Sequence, residues 1–202
     1  MPAHLRRVLL MAHIALSVSW IGAVGAFLAL AILGQRSTDA VTVTSAYVAM
    51  NAISLFVVIP LSLCALISGM AMALLSPWGL IKHYWVLSKL TLTLLAAGML
   101  MLHQFSAVAA AAQHVRASAD ALPSAGRLGL QLIVDGSLAI ATLLAVVAMA
   151  VFKPRGMTPF AGKAAAAASL GGPRRWIFAG VLAAGAALFV IMHVTGLTAA
   201  LH

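Results

Sequence analysis

The sequence predicts an all-α protein, a polytopic membrane helical bundle with five transmembrane helices. Three observations carry that reading. Charged residues make up only 7% of the 202 and hydrophobic ones 64%, whereas soluble domains are about a quarter charged. So few charges do not cover a water-facing surface, which leaves lipid as the solvent for most of the chain. Five apolar runs each reach the roughly 20 residues that a helix needs to cross a ~30 Å hydrocarbon core. The basic residues, finally, are divided unevenly between alternate connections.

The first run, Val8–Leu33, follows the basic start MPAHLRRVLLMAH. It is far longer than the ~7–15 residue core of a signal peptide, and is expected to be a retained first helix. The others are Ser45–Leu75, His83–Ala112, Leu128–Phe152 and Trp176–Leu201. All are expected to be helices, because a lone strand leaves its backbone groups unsatisfied in hydrocarbon. Pro60 lies inside the second run. It removes one backbone hydrogen bond there, so a kink or tilt is expected. Residues 153–175 read as a basic, flexible, low-complexity linker resting on the anionic leaflet.

The N-terminus, Ser76–Lys82 and Lys153–Arg175 carry eight bases (Arg6, Arg7, Lys82, Lys153, Arg155, Lys163, Arg174, Arg175) and no acid. Gly34–Thr44 and Gln113–Arg127 carry Arg36, Arg116 and Arg127, offset by Asp39 and Asp120. The excess of bases is expected on the cytoplasmic side. Trp78, Tyr84, Trp85 and Trp176 cluster at that same face, where amphipathic rings favour the headgroup layer. The expected location is the bacterial inner membrane, N-terminus inside and C-terminus outside. The net charge of +9 thus reads as a topology signal, with the lipid bilayer rather than nucleic acid as partner. A redox partner or a second copy of the chain is left open.

The single cysteine, Cys64, excludes an intrachain disulfide and any multi-cysteine metal site. No Ser, Cys or Thr has a recognisable base-and-orienter set around it, and no phosphate-binding glycine loop is present. The chemistry-bearing residues are instead the ionisable ones within the spans: His13, Lys89, His103, Asp135 and His193. Such residues are costly in lipid and are candidates to face the bundle interior.

Depth sorts them into two layers. At 1.5 Å per residue, His103 lies about 13 Å and His193 about 12 Å from the outer ends of their helices, with Asp135 roughly 10–12 Å below the start of its own. A weak internal echo, LAAG at 95–98 and again at 182–185, places the two histidines at equivalent depth. Two facing imidazoles suit haem b, as axial ligands in a dry pocket. His103 and His193 are the expected ligands, and Asp135 a hydrogen-bond acceptor for one of them. Arg36, Arg116 or Arg127 are candidates to pair with propionates. The same trio also suits a bare metal, as two His and one carboxylate, or a copper or proton pathway. The bland alternative is a cofactor-free subunit whose polar residues bond helix to helix. The inner layer holds His13, with Ser17 and Trp20 on the same helical face, and Lys89, which is expected to snorkel toward the interface. A second haem between His13 and His83 would give a two-haem path across the membrane.

The stretches HIALSVSWIG (13–22), KHYWVLSKL (82–90) and VFKPRGMTP (151–159) resemble a family of uncharacterised bacterial multi-pass integral membrane proteins. More remotely, His13 with Trp20 and Gly22, followed by Lys89 and His103, is similar to the copper-resistance protein D family and to the membrane-bound, haem-containing protoporphyrinogen oxidases. The resemblance to the oxidases implies that His13 and Lys89 belong to a haem or active site.

The topology is testable by fusion. Alkaline phosphatase joined at His202 should be active, and joined at Gly162 inactive. The opposite pattern overturns the five-helix arrangement.

Overall fold

A computed structural model describes residues 3–75, 80–103, 108–109, 112–113, 126–153 and 156–158. The fifth expected span, Trp176–Leu201, lies outside them. Among the described residues the chain is helical, apart from turns and one bridge pair, His83 with Met157. Helix α1 spans Ala3–Arg36, α2 Ala40–Ile53, α3 Ile59–Leu74, α4 Tyr84–His103 and α5 Gly126–Phe152. A π-helical turn, Ser54–Val58, joins α2 to α3.

Four segments are long and apolar enough to cross a membrane: Ala3–Arg36, Ala40–Leu74, Tyr84–Leu102 and Gly129–Phe152. Their outward faces fit lipid. Met11, Val18, Phe56, Ile67, Leu144 and Phe152 are all more than half exposed, a surface that water does not tolerate over this extent.

The π turn is the local answer to Pro60. Proline has no N–H to give to the carbonyl four residues back, and its ring crowds that carbonyl. The Ile59 N–H reaches back five residues to the Ser54 carbonyl. Pro60 then falls in the first turn of α3, where a missing N–H costs nothing. The expected interruption is therefore absorbed inside one continuous span, as a widened turn.

Asp39 starts that span. Its carboxylate accepts hydrogen bonds from the Thr42 N–H at 2.8 Å and the Thr42 hydroxyl at 2.6 Å. Those two bonds, the side-chain one foremost, hold its pKa below the ordinary carboxylate range. The cap is in place above that range and is lost only as pH falls through the lowered pKa.

Helix α1 is the hub, packing against α2, α3 and α5, while α4 packs against α3 and α5. Toward the Arg36 end, Phe27, Ala31, Val43, Tyr47, Met50, Val108 and Leu132 form one buried cluster. Further down, Trp20, Val24, Val58, Ala65 and Leu143 form a second. Association in lipid gains little from hydrophobicity and rests on close packing, often at small residues. Tyr47 shows this. It is 1% exposed, and its hydroxyl donates to Gln35 Oε1 at 3.3 Å. A Cβ built on Gly34 would lie 2.9 Å from its Cε2, and one built on Gly129 would collide with its hydroxyl and with Gln35. The ring is therefore held between α1 and α5.

Gly34→Ala and Gly129→Ala should each destabilise the bundle by about 1–3 kcal/mol, the range for overpacking a filled core. Gly22, with nothing within 4 Å of its built Cβ, should accept Ala within about 1 kcal/mol, on the stabilising side. Unfolding in detergent micelles measures all three. Equal effects at the three sites would contradict the clamp.

Candidate functional site

The two expected layers fare differently. His193 lies outside the described residues. His103 closes α4, and its side chain also lies outside the description. Asp135 is half-buried on α5 with its carboxylate oxygens covered, and Gln131, one turn earlier, is 8% exposed. The geometry of the inner layer, by contrast, is described on both helices.

On α1, Trp20 is buried, and Ser17 and His13 are half-buried. The Ser17 hydroxyl donates to the His13 carbonyl at 2.8 Å, so it is occupied within its own helix. The His13 ring reaches across to α3. Its Nδ1 lies 2.9 Å from Ser68 Oγ, and the Ser68 hydroxyl donates to the Ala65 carbonyl at 3.1 Å. The Ala65 carbonyl also interacts with the ring. With the serine proton committed to a carbonyl, what faces Nδ1 is acceptor. The tautomer assigned by these neighbours carries its proton on Nδ1 and leaves the Nε2 lone pair as an acceptor or ligand. Gly69 makes room for the ring: a Cβ there would lie 3.0 Å from Cε1 and 3.6 Å from either nitrogen.

Lys89 comes to this site from α4, five residues after the helix begins. Its ammonium lies 6.0 Å from the centroid of the Trp85 ring, at the limit of a cation–π contact. It is near enough to His13 to interact electrostatically. Trp85 is itself buried, beside Val86. The Thr93 hydroxyl donates to the Lys89 carbonyl at 2.8 Å.

His83 does not approach as a ligand from within a helix. It sits in the segment before α4, paired with Met157. The Tyr84 N–H donates to the Gly156 carbonyl at 3.3 Å and the Thr158 N–H to the Lys82 carbonyl at 2.9 Å. The Thr158 hydroxyl donates to the Ile81 carbonyl. Residues 156–158, within the expected linker 153–175, are thus clasped to the entry of α4.

Ser68 and Gly69 are the participants that sequence reasoning missed. Their only signal was a Ser-Gly pair inside an apolar run, which also occurs where helices merely touch. Among the described residues no group of three or more His, Cys, Asp or Glu is placed to hold a metal ion. Compared with protein-family models, with curated proteins and with solved structures, the chain matches none.

The tautomer assignment can be checked by nitrogen NMR on protein labelled at histidine, with His13 identified by its loss in His13→Gln. Nδ1 should be protonated and Nε2 bare. Ser68→Ala should mix the two tautomers and cost about 0.5–1.5 kcal/mol, one hydrogen bond's worth. A protonated Nε2 in the wild type would refute it.

Proposed function

We propose that this chain is a five-span protein of the bacterial cytoplasmic membrane, N-terminus inside and C-terminus outside, that holds haem b for electron transfer or redox sensing. The single observation that carries the haem reading is His13. Its ring is oriented by Ser68 and seated on Gly69, and it offers Nε2 as a ligand atom in a bundle of apolar helices. A haem-ligating histidine needs that arrangement: one nitrogen held by a protein acceptor, the other free for iron. Lys89 brings a positive charge to the same end of the bundle, which suits a macrocycle bearing carboxylates. Haem would supply one-electron chemistry at a potential set by its ligands and its burial. His13 would hold it, Ser68 would fix the ring that does so, and the apolar helices would limit water. The sequence resemblance to haem-containing membrane oxidases, carried by His13 and Lys89, supports the same layer.

His103 and His193, with Asp135 as hydrogen-bond acceptor for one of them, would be the other ligand set. One experiment separates the two. The full chain, expressed with ample haem and purified in detergent, should show a Soret band. His13→Ala should abolish or strongly alter it, while His114→Ala leaves it unchanged. If His103→Ala and His193→Ala remove the band and His13→Ala does not, the ligands belong to the other layer. A wild-type protein without haem would leave the cofactor-free subunit as the reading, with His13 and Ser68 as a bond between helices.

A further inference from the structure

A hydroxyl buried away from water without a partner is costly. Serines and threonines inside helices escape that cost by donating to a carbonyl about one turn back. Ser17, Ser62, Ser68, Thr93, Ser137 and Thr142 all do so. Ser88 on α4 does not. It is 1% exposed, and its Oγ has no hydrogen-bond partner among the described residues.

Contacts on α3 fix the level of that hydroxyl. The His13 ring rests on Gly69, where a Cβ would lie 3.0 Å from its Cε1. Ala73, one turn further along the same face of α3, packs against Trp85 and Val86 at the start of α4. The two helices run antiparallel: Ala65, earlier in α3, belongs to the cluster that Ala96, later in α4, packs against. One turn into α4 from Trp85 therefore returns to the level of Gly69, and the residue at that turn on the Trp85 face is Ser88. Both α3 and α5 pack against α1 and against α4, so His13 and Ser88 oppose each other across the bundle interior. The imidazole and the hydroxyl are not bonded to each other. An acceptor, Nε2, and a donor thus stand on either side of whatever is held between them.

We propose that Ser88 completes the haem site: with His13 on one face of the iron, the Ser88 hydroxyl donates a hydrogen bond to an uncharged diatomic molecule on the other. The inference rests on the haem reading and narrows it to the binding of a small gas. A serine hydroxyl is not among the side chains that hold haem iron, so it leaves the coordination position open, and as a donor it favours a ligand polarised by the metal. Trp85 and Leu92, buried one turn to either side of Ser88, give that face of the pocket an apolar lining, which disfavours an ionic ligand.

The test is the infrared spectrum and dissociation rate of carbon monoxide added to the haem-loaded full chain, purified in detergent and reduced with dithionite. The wild type should bind it. Ser88→Ala should keep the Soret band of the unliganded protein, raise the C–O stretching frequency and speed dissociation roughly two- to tenfold, the worth of one hydrogen bond. Ser88→Thr, which keeps the hydroxyl, should stay near the wild type. Ser54→Ala, which removes another buried hydroxyl without a partner among the described residues, should change neither quantity. An unaltered stretch and rate in Ser88→Ala overturns the proposal, as does a haem in the wild type that carbon monoxide does not bind, and both leave the haem reading standing. A wild-type chain without a Soret band overturns the two together.

Discussion

In hydrocarbon a peptide group has no water to bond, so each backbone N–H and C=O must find its partner within the protein. The rest of this structure follows from that constraint. It makes the spans helical and converts the defect at Pro60 into a π turn, with the Ile59 N–H extended to the Ser54 carbonyl rather than left bare. It also governs the hydroxyls. Ser17, Ser62, Ser68, Thr93, Ser137 and Thr142 each donate to a carbonyl three or four residues earlier in the same helix. Those hydroxyl protons are thereby spent within their own helices, and do not tie one helix to another.

Against that background, contacts between helices stand out. Tyr47, lodged against Gly34 and Gly129, fixes the approach of α1 and α5 by shape. His13 fixes α1 against α3 by shape and by a hydrogen bond together, because Gly69 admits the ring that Ser68 then holds. Ser68 serves twice: its proton closes a bond within α3, and its lone pair receives the ring of α1. Removing it would disturb the orientation of the imidazole more than the helix that carries it.

The positions of the first four spans were legible because hydropathy along a chain is a local quantity, and lipid imposes it on every residue of a span. Boundaries moved by a few residues: α1 runs from Ala3 to Arg36 rather than from Val8 to Leu33. The interruption at Pro60 was legible, but its form was not, since the choice between a kink and a widened turn depends on what packs against it. The face carrying His13, Ser17 and Trp20 could be read from helical spacing. The partner of His13 could not. Which residue of α3 meets it depends on the rotation and vertical offset of two helices, and no run of sequence encodes those by itself. The clasp at 156–158 was hidden for a related reason: a basic linker composition says nothing about two main-chain bonds and one hydroxyl bond to a segment far away in sequence.

That clasp also bears on how the protein is made. Thr158 and Ile81 are 77 positions apart, so the bonds that set the entry of α4 do not exist while α4 is being synthesised. They form only after α5 has been threaded back through the bilayer and its end has emerged. Until then the start of α4 is held by α3 alone, through Trp85 and Val86 against Ala73. The last hydrogen bonds at the entry of α4 are therefore made late, by a segment that the ribosome delivers last among those described.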